Sequence, residues 1–168
     1  YAVLATNSST TVTDWATKNV GGWISAPASY TDTVAATTTY AAGNNLNVVN
    51  TNSGQWVTQT VNSLRFNNTN ALTATIAASN TLTLATGGIL FGSSAGASTL
   101  TGGTIVPGLG RELVIFANGN TQTLNSVLGE SLAGSTDVTY RGLVGVGVGR
   151  NDVAINGNNT YTGNTYIS

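Results

Sequence analysis

Between Val61 and Ile155 the apolar residues arrive in small alternating groups, each closed by a corner of Asn, Gly or Ser. Val61, Leu64 and Phe66 make one group, Leu82 and Leu84 another, Ile89 and Phe91 a third; Ile105–Val106, Leu113–Phe116, Val138–Tyr140 and Val153–Ile155 continue the series. The corners are Asn67-Asn68, Gly87-Gly88, Gly102-Gly103, Asn118-Gly119-Asn120 and Gly157-Asn158-Asn159. An every-second-residue apolar pattern over so few positions is that of a short strand with one face buried, and Gly and Asn supply the left-handed corners between strands. Few architectures accept so many short strands in a row without an intervening helix.

Composition agrees. Thr (29), Gly (21) and Asn (20) make up over two-fifths of the 168 residues, and Lys, Glu, Gln and Met are scarce. Thr favours a pleated, half-buried surface. Charged residues are 7% of the chain, against about 25% in an average soluble domain, so solubility rests on Thr, Asn and Ser. The net charge is −1, and Lys18, Arg65, Arg111, Arg141 and Arg150 are scattered; without a basic stripe, nucleic acid is not an expected partner. No apolar run is long enough to insert this segment into a membrane. The chain has no Cys, which a protein held by a long stacked core does not need. It begins at Tyr1 and not at Met, so it is expected to be either processed or excised from something longer, the latter being preferred.

An approximate repeat sets the architecture. Thr81-Leu-Thr-Leu84, Thr99-Leu-Thr-Gly102 and Thr121-Gln-Thr-Leu124 recur at 18 and 22 residues, a period suited to coils of a solenoid. The expected fold is all-β: a right-handed parallel β-helix (β-solenoid) with short strands and Asn/Gly corners. At about 20 residues per coil it would have roughly eight coils, on the order of 40 Å long. Residues 1–59 lack a clean period and read as an irregular β-rich N-terminal part, a module junction or cap, with a turn of helix near Asp14–Lys18 and a strand over Thr33–Tyr40. Residues 60–168 read as the coils proper. Val144-Gly-Val-Gly-Val-Gly149 reads as a strand with Val on the core face, since a phosphate loop needs Gly-Lys-Ser/Thr opening a helix.

The chain stops inside Asn156-Gly-Asn-Asn-Thr-Tyr-Thr-Gly-Asn-Thr-Tyr-Ile-Ser168. This stretch resembles the autotransporter-associated β-strand repeat, the Asn-Thr-Tyr-Thr-Gly-(Gly/Asn)-Thr unit of passenger-type β-helices in large bacterial surface proteins. Thr60-Val-Asn-Ser-Leu-Arg-Phe66 is similar to a strand of the same proteins; Gly87-Gly-Ile-Leu90, Leu100-Thr-Gly-Gly-Thr104 and Glu112-Leu-Val-Ile115 follow in the family's order, and Asp14-Trp-Ala16 resembles the start of such a module. Asp152-Val-Ala-Ile155 departs from the usual Gly-Thr-Leu. The resemblance covers residues 60–168 better than 1–59. It implies a non-catalytic structural or adhesive protein, extracellular or on the bacterial cell surface: a rod-like passenger segment or fibre subunit. Its expected partners are itself, end to end or laterally, or neighbouring segments of a longer chain, and then surface glycans. Thr160, Tyr161, Thr162, Tyr166 and Ile167 form the candidate contact edge.

No residue pattern points to a reaction, a cofactor or a metal. With no His and no Cys, a Ser-His-Asp triad, a thiolate nucleophile and the usual zinc ligands are excluded. Six carboxylates remain: Asp14, Asp32, Glu112, Glu130, Asp137 and Asp152. A carbohydrate-active β-helix of the lyase or tailspike kind would need two of them across a groove, with Asp137 and Asp152 the nearest candidates. The alternative is that Asp137 and Asp152, with Arg141 and Arg150 between them, make solvated surface ion pairs of little energetic consequence; Arg111–Glu112 and Asp137–Arg141 are read as surface pairs. Trp15, Trp23, Tyr30, Tyr40 and Trp56 gather in the first third; they are candidate glycan-facing aromatics, or else they cover an end or flank of the stack, where core and strand edges are bare.

Overall fold

The computed structural model describes residues 3–5, 12–18, 24–142 and 152–168. Among them there is no helix, and so none to cross a membrane. Two antiparallel pairs come first: β1 (Val3–Ala5) with β2 (Val12–Trp15), and β3 (Thr17–Lys18) with β4 (Ile24–Ser25). The helical turn expected near Asp14–Lys18 is therefore β structure, because strand pairing on each side satisfies the backbone that a lone turn would leave open. From there every strand-to-strand pairing is parallel. The strands are β5 (Thr31–Asp32), β6 (Asn45–Val48), β7 (Gln59–Phe66), β8 (Thr73–Thr75), β9 (Thr81–Phe91), β10 (Thr99–Thr101), β11 (Thr104–Pro107) and β12 (Leu113–Ala117). They continue as β13 (Gln122–Leu124), β14 (Val127–Leu128), β15 (Val138–Gly142), β16 (Val153–Ile155) and β17 (Thr165–Ile167).

These strands wind into a β-solenoid of about 4 complete three-faced turns, and the long face continues beyond them. The long face stacks β5, β6, the second half of β7, the second half of β9, β12, β15 and β17. A second face stacks β8, β10, β13 and β16, and a third stacks the first halves of β7 and β9 with β11 and β14. β9 serves two faces by turning at Gly87, whose φ is +75°. Thr33–Tyr40, expected as a strand, is a corner: it carries a turn closed by Thr37 N–H donating to Val34 O (3.0 Å), and Val34 faces solvent.

Register builds the core. Leu64, Ile89, Ile115 and Tyr140 are successive partners on the long face, steps of 25, 26 and 25 residues. Leu82, Ile105 and Leu128 follow on the third face in steps of 23. From β7 onward the coils are longer than the expected 20 residues, whereas the first two long-face steps, Thr31 to Leu46 and Leu46 to Leu64, take 15 and 18; the seven rungs of the long face span about 30 Å at the usual inter-strand spacing. The aliphatic columns are buried. Phe66 and Phe91 stack within one column at 4.9 Å and 26°, the separation that parallel neighbours impose. The parallel stack already runs from Thr31 and passes through residues 59 and 60 inside β7.

Two details complete the body. Leu90 and Phe116 point away from the main core yet are buried, because Val12 and Trp15 of the N-terminal arm cover them as a second cluster. Below β8 the buried Asn52 side chain reinforces the backbone contacts of the preceding coil: its Oδ1 accepts from Thr75 N–H (2.7 Å) and its Nδ2 donates to Thr75 O (2.9 Å), which also accepts from Trp56 N–H (2.9 Å).

Candidate functional site

The predicted contact edge is the last rung. β17 pairs with β15 through Thr165↔Val138, Tyr166↔Thr139 and Ile167↔Tyr140, and among the described residues no strand pairs with its other side. Ile167 continues the Leu64–Ile89–Ile115–Tyr140 column but is 77% exposed, and Tyr166 is 50% exposed. Tyr161 packs partly against the main core, and its hydroxyl lies 2.8 Å from Thr165 Oγ1. Thr160 and Thr162 are exposed, with Thr160 N–H donating to Leu128 O (3.0 Å).

Two carboxylates hold this final repeat. Glu130 accepts hydrogen bonds from Thr136 N–H (2.6 Å) and from Thr162 N–H. Asp137 Oδ1 accepts from Asn164 N–H (2.8 Å). Between them Gly163 crosses the Thr136 carbonyl so closely that a Cβ would collide with it and with Asp137. The Thr-Gly-Asn part of the repeat is thus a corner laid over the acids of the previous coil. Hydrogen bonds from Thr162 first, and then from Thr136, hold the Glu130 carboxyl below its ordinary range. A depressed carboxyl contributes stability that is present above its unfolded value and lost as pH falls through the folded one. The 160–168 segment is therefore expected to loosen first on acidification below the ordinary carboxylate range. Hydrogen exchange at the Thr162 amide measures this, and Glu130→Gln should flatten its pH dependence in that window; an unchanged profile would refute the clamp.

The predicted aromatics fall into two groups. Trp56 is fully buried in the core, with Tyr40 edge-on to it at 6.1 Å and 86°. Trp15 is buried against Leu90 and Phe116, and Tyr30 lies against Arg65 on the outer surface of β7. The Arg65 guanidinium lies 3.6 Å above the Tyr30 ring and pairs with Asp14. Arg65 Nε also donates to Asn47 Oδ1 (3.0 Å), and Asn47 Nδ2 donates to Asp32 Oδ1 (2.7 Å), so one polar ladder climbs three coils. Burial pushes the Tyr30 phenol up to about 12, against the opposing pull of Arg65. Trp23 and the Val144–Gly149 motif lie outside the described residues.

The N-terminal arm leaves a half-enclosed cleft of about 130 Å³ where it crosses the solenoid, lined by Trp15, Ala16, Pro27, Asn45, Asn62, Ser63 and Thr86. Asn45 Oδ1 accepts from Asn62 Nδ2 (2.6 Å) and from Ser63 Oγ (2.8 Å), and Thr86 Oγ1 donates to Asn62 O (2.7 Å). No sequence signal singled out these four residues. They meet because Asn45 and Ser63 are register partners across β6 and β7, which only the coil length reveals.

The remaining carboxylates are engaged locally. Arg111–Glu112 and Asp137–Arg141 do not form the surface ion pairs expected of them; Glu112 accepts from the Thr139 hydroxyl across the β12–β15 rung, and Asp137 serves Asn164. Asp14–Arg65 is the ion pair among the described residues. No three acids come together there as a metal-holding group. The arrangement defines a β-solenoid with a covered flank and an open final rung. Compared with family models, with curated proteins and with solved structures, the chain matches none of them.

Proposed function

We propose that this chain is a non-catalytic structural or adhesive segment of a bacterial surface or extracellular rod, extended by adding a further coil to β17. The bare Ile167 carries the reading: it occupies a core column position and lacks only the next rung. A further coil, from a neighbouring segment of a longer chain or from another copy, would pair the free strand edge and bury this side chain, an apolar gain of about 1.5–3 kcal/mol. The scarcity of charge and the resemblance of Asn156–Ser168 to the autotransporter-associated repeat support the surface location. Asp32, Glu112, Glu130 and Asp137 accept bonds from the chain's own groups, which favours scaffold roles for them over acid–base roles.

Electron microscopy of the purified chain tests association between copies. Fibres whose subunit repeat is near the height of one rod are expected, and deleting Thr160–Ser168 should abolish them. Discrete short rods from the intact chain, or fibres that survive the deletion, would sink the self-association reading.

A further inference from the structure

We infer that the cleft under the N-terminal arm binds one neutral pyranose ring, such as the terminal residue of a glycan. Its volume, about 130 Å³, is below the 300–1,000 Å³ typical of drug-sized sites and suits a single ring. The walls are mixed in the way a sugar needs. Trp15, Ala16 and Pro27 supply apolar surface for C–H groups, while Asn45, Asn62, Ser63 and Thr86 converge from the solenoid side.

The polar groups are only partly used. Asn45 spends its Oδ1 on Asn62 and Ser63, and Asn62 spends its Nδ2 on Asn45. Among the described residues Asn45 Nδ2 and Asn62 Oδ1 therefore keep unspent capacity: one donor and one acceptor, joined through a single amide–amide hydrogen bond. Neighbouring ring hydroxyls, each able to donate and accept, match such a pair. The mutual hydrogen bonds fix both amides on adjacent rungs, so little ordering remains for a ligand to impose.

Charge selects a neutral ligand. Among the described residues no lining side chain is charged. Asp14, next to Trp15 in the chain, and Arg65, on the same strand as Ser63, neutralise each other. A phosphate or a uronic acid would find no free cation among the described residues of this wall. The site owes nothing to the open β17 rung, so the end-to-end reading and this one stand or fall separately.

The test uses the intact chain, labelled with ¹⁵N, titrated to about 50 mM with methyl glycosides of glucose, galactose, mannose and N-acetylglucosamine, a range that detects millimolar binding. At least one should move the Asn45 and Asn62 side-chain amide signals and the Trp15 indole signal saturably. Ala16→Leu, which fills the cleft without touching its hydrogen bonds, should weaken binding at least about tenfold, and Asn62→Ala, which removes the acceptor, should do the same. Each variant is checked for unchanged circular dichroism and unchanged signals at Leu100 and Leu124, remote on the second face. No saturable shift with any of the sugars would overturn the inference. So would undiminished binding by folded Ala16→Leu, or a response confined to glucuronate or inorganic phosphate.

Discussion

Phe91→Ala is expected to lower stability by about 3–5 kcal/mol, the upper range for a large-to-small core change. Phe91 is fully buried and stacked on Phe66 at 4.9 Å. Its β9 rung is hydrogen-bonded to β7 on one side and to β12 on the other. Rungs fixed from both sides cannot slide together to refill the space, and the next member of the column, Ala117, has only a methyl group to offer. For a chain of this size each kcal/mol moves the midpoint by about 2–4 °C, so thermal unfolding should fall by roughly 6–20 °C. Phe91→Leu, which retains most of the volume, should recover more than half of the loss. A Phe91→Ala shift below about 1 kcal/mol would mean that the stacked rings are not where the solenoid draws its cohesion.

Gly102→Ala has the second-largest expected effect, about 2–4 kcal/mol, for two separable reasons. Gly102 has φ +72°, where a Cβ costs about 1–2 kcal/mol. An added Cβ would also run into the carbonyl oxygen of Ile76, on the coil beneath. That collision sits beside the hydrogen bond from Ile76 N–H to Thr101 O (2.9 Å), so relief of the clash pulls the corner away from its own rung. Gly110→Ala separates the terms: its φ is +64°, yet nothing lies within 4 Å of the added carbon. It should show the backbone cost alone. Chemical denaturation of the two variants side by side measures the difference, and equal losses would rule out the inter-coil collision.

Much of the solenoid was legible because burial in a coil leaves a period of two. Leu64 and Phe66, Ile89 and Phe91, and Val153 and Ile155 lie on strands where the alternation puts them. Coil length was not legible, for a geometric reason. Thr81–Leu84 resembles Thr99–Thr101, but the former pairs with Thr104–Pro107 on the third face and the latter with Thr73–Thr75 on the second. Strands of different faces share one pattern, so likeness identifies a strand and not its place in the turn. The true partner of Leu100 is Leu124, with Thr99 opposite Thr123 and not Thr121. Thr33–Tyr40 misled because β-branched residues also populate corners when no neighbouring strand claims them.

The covered flank did leave a trace. Ile89-Leu90-Phe91 and Val114-Ile115-Phe116 break the alternation with apolar residues on both faces, the signature of a sheet buried on each side. The second cluster under Val12 and Trp15 explains it. The clamp left none, and of the cleft only Trp15 stood out. Glu130 reaches a residue 32 positions away, and the cleft joins Trp15 to Thr86. Both depend on how many residues each coil takes.

The hydrogen bonds between coils point along the stacking axis, and this decides how such a segment answers a pull. Tension along the axis loads the rungs of the outermost coil alone, so the coils part in sequence, as a rope leaves a drum. Each long-face step of 25 or 26 residues frees on the order of 85 Å of extended chain. The remaining columns stay packed and offer their exposed rung for rewinding. A solenoid built this way would yield coil by coil under load, its slack stored in turns.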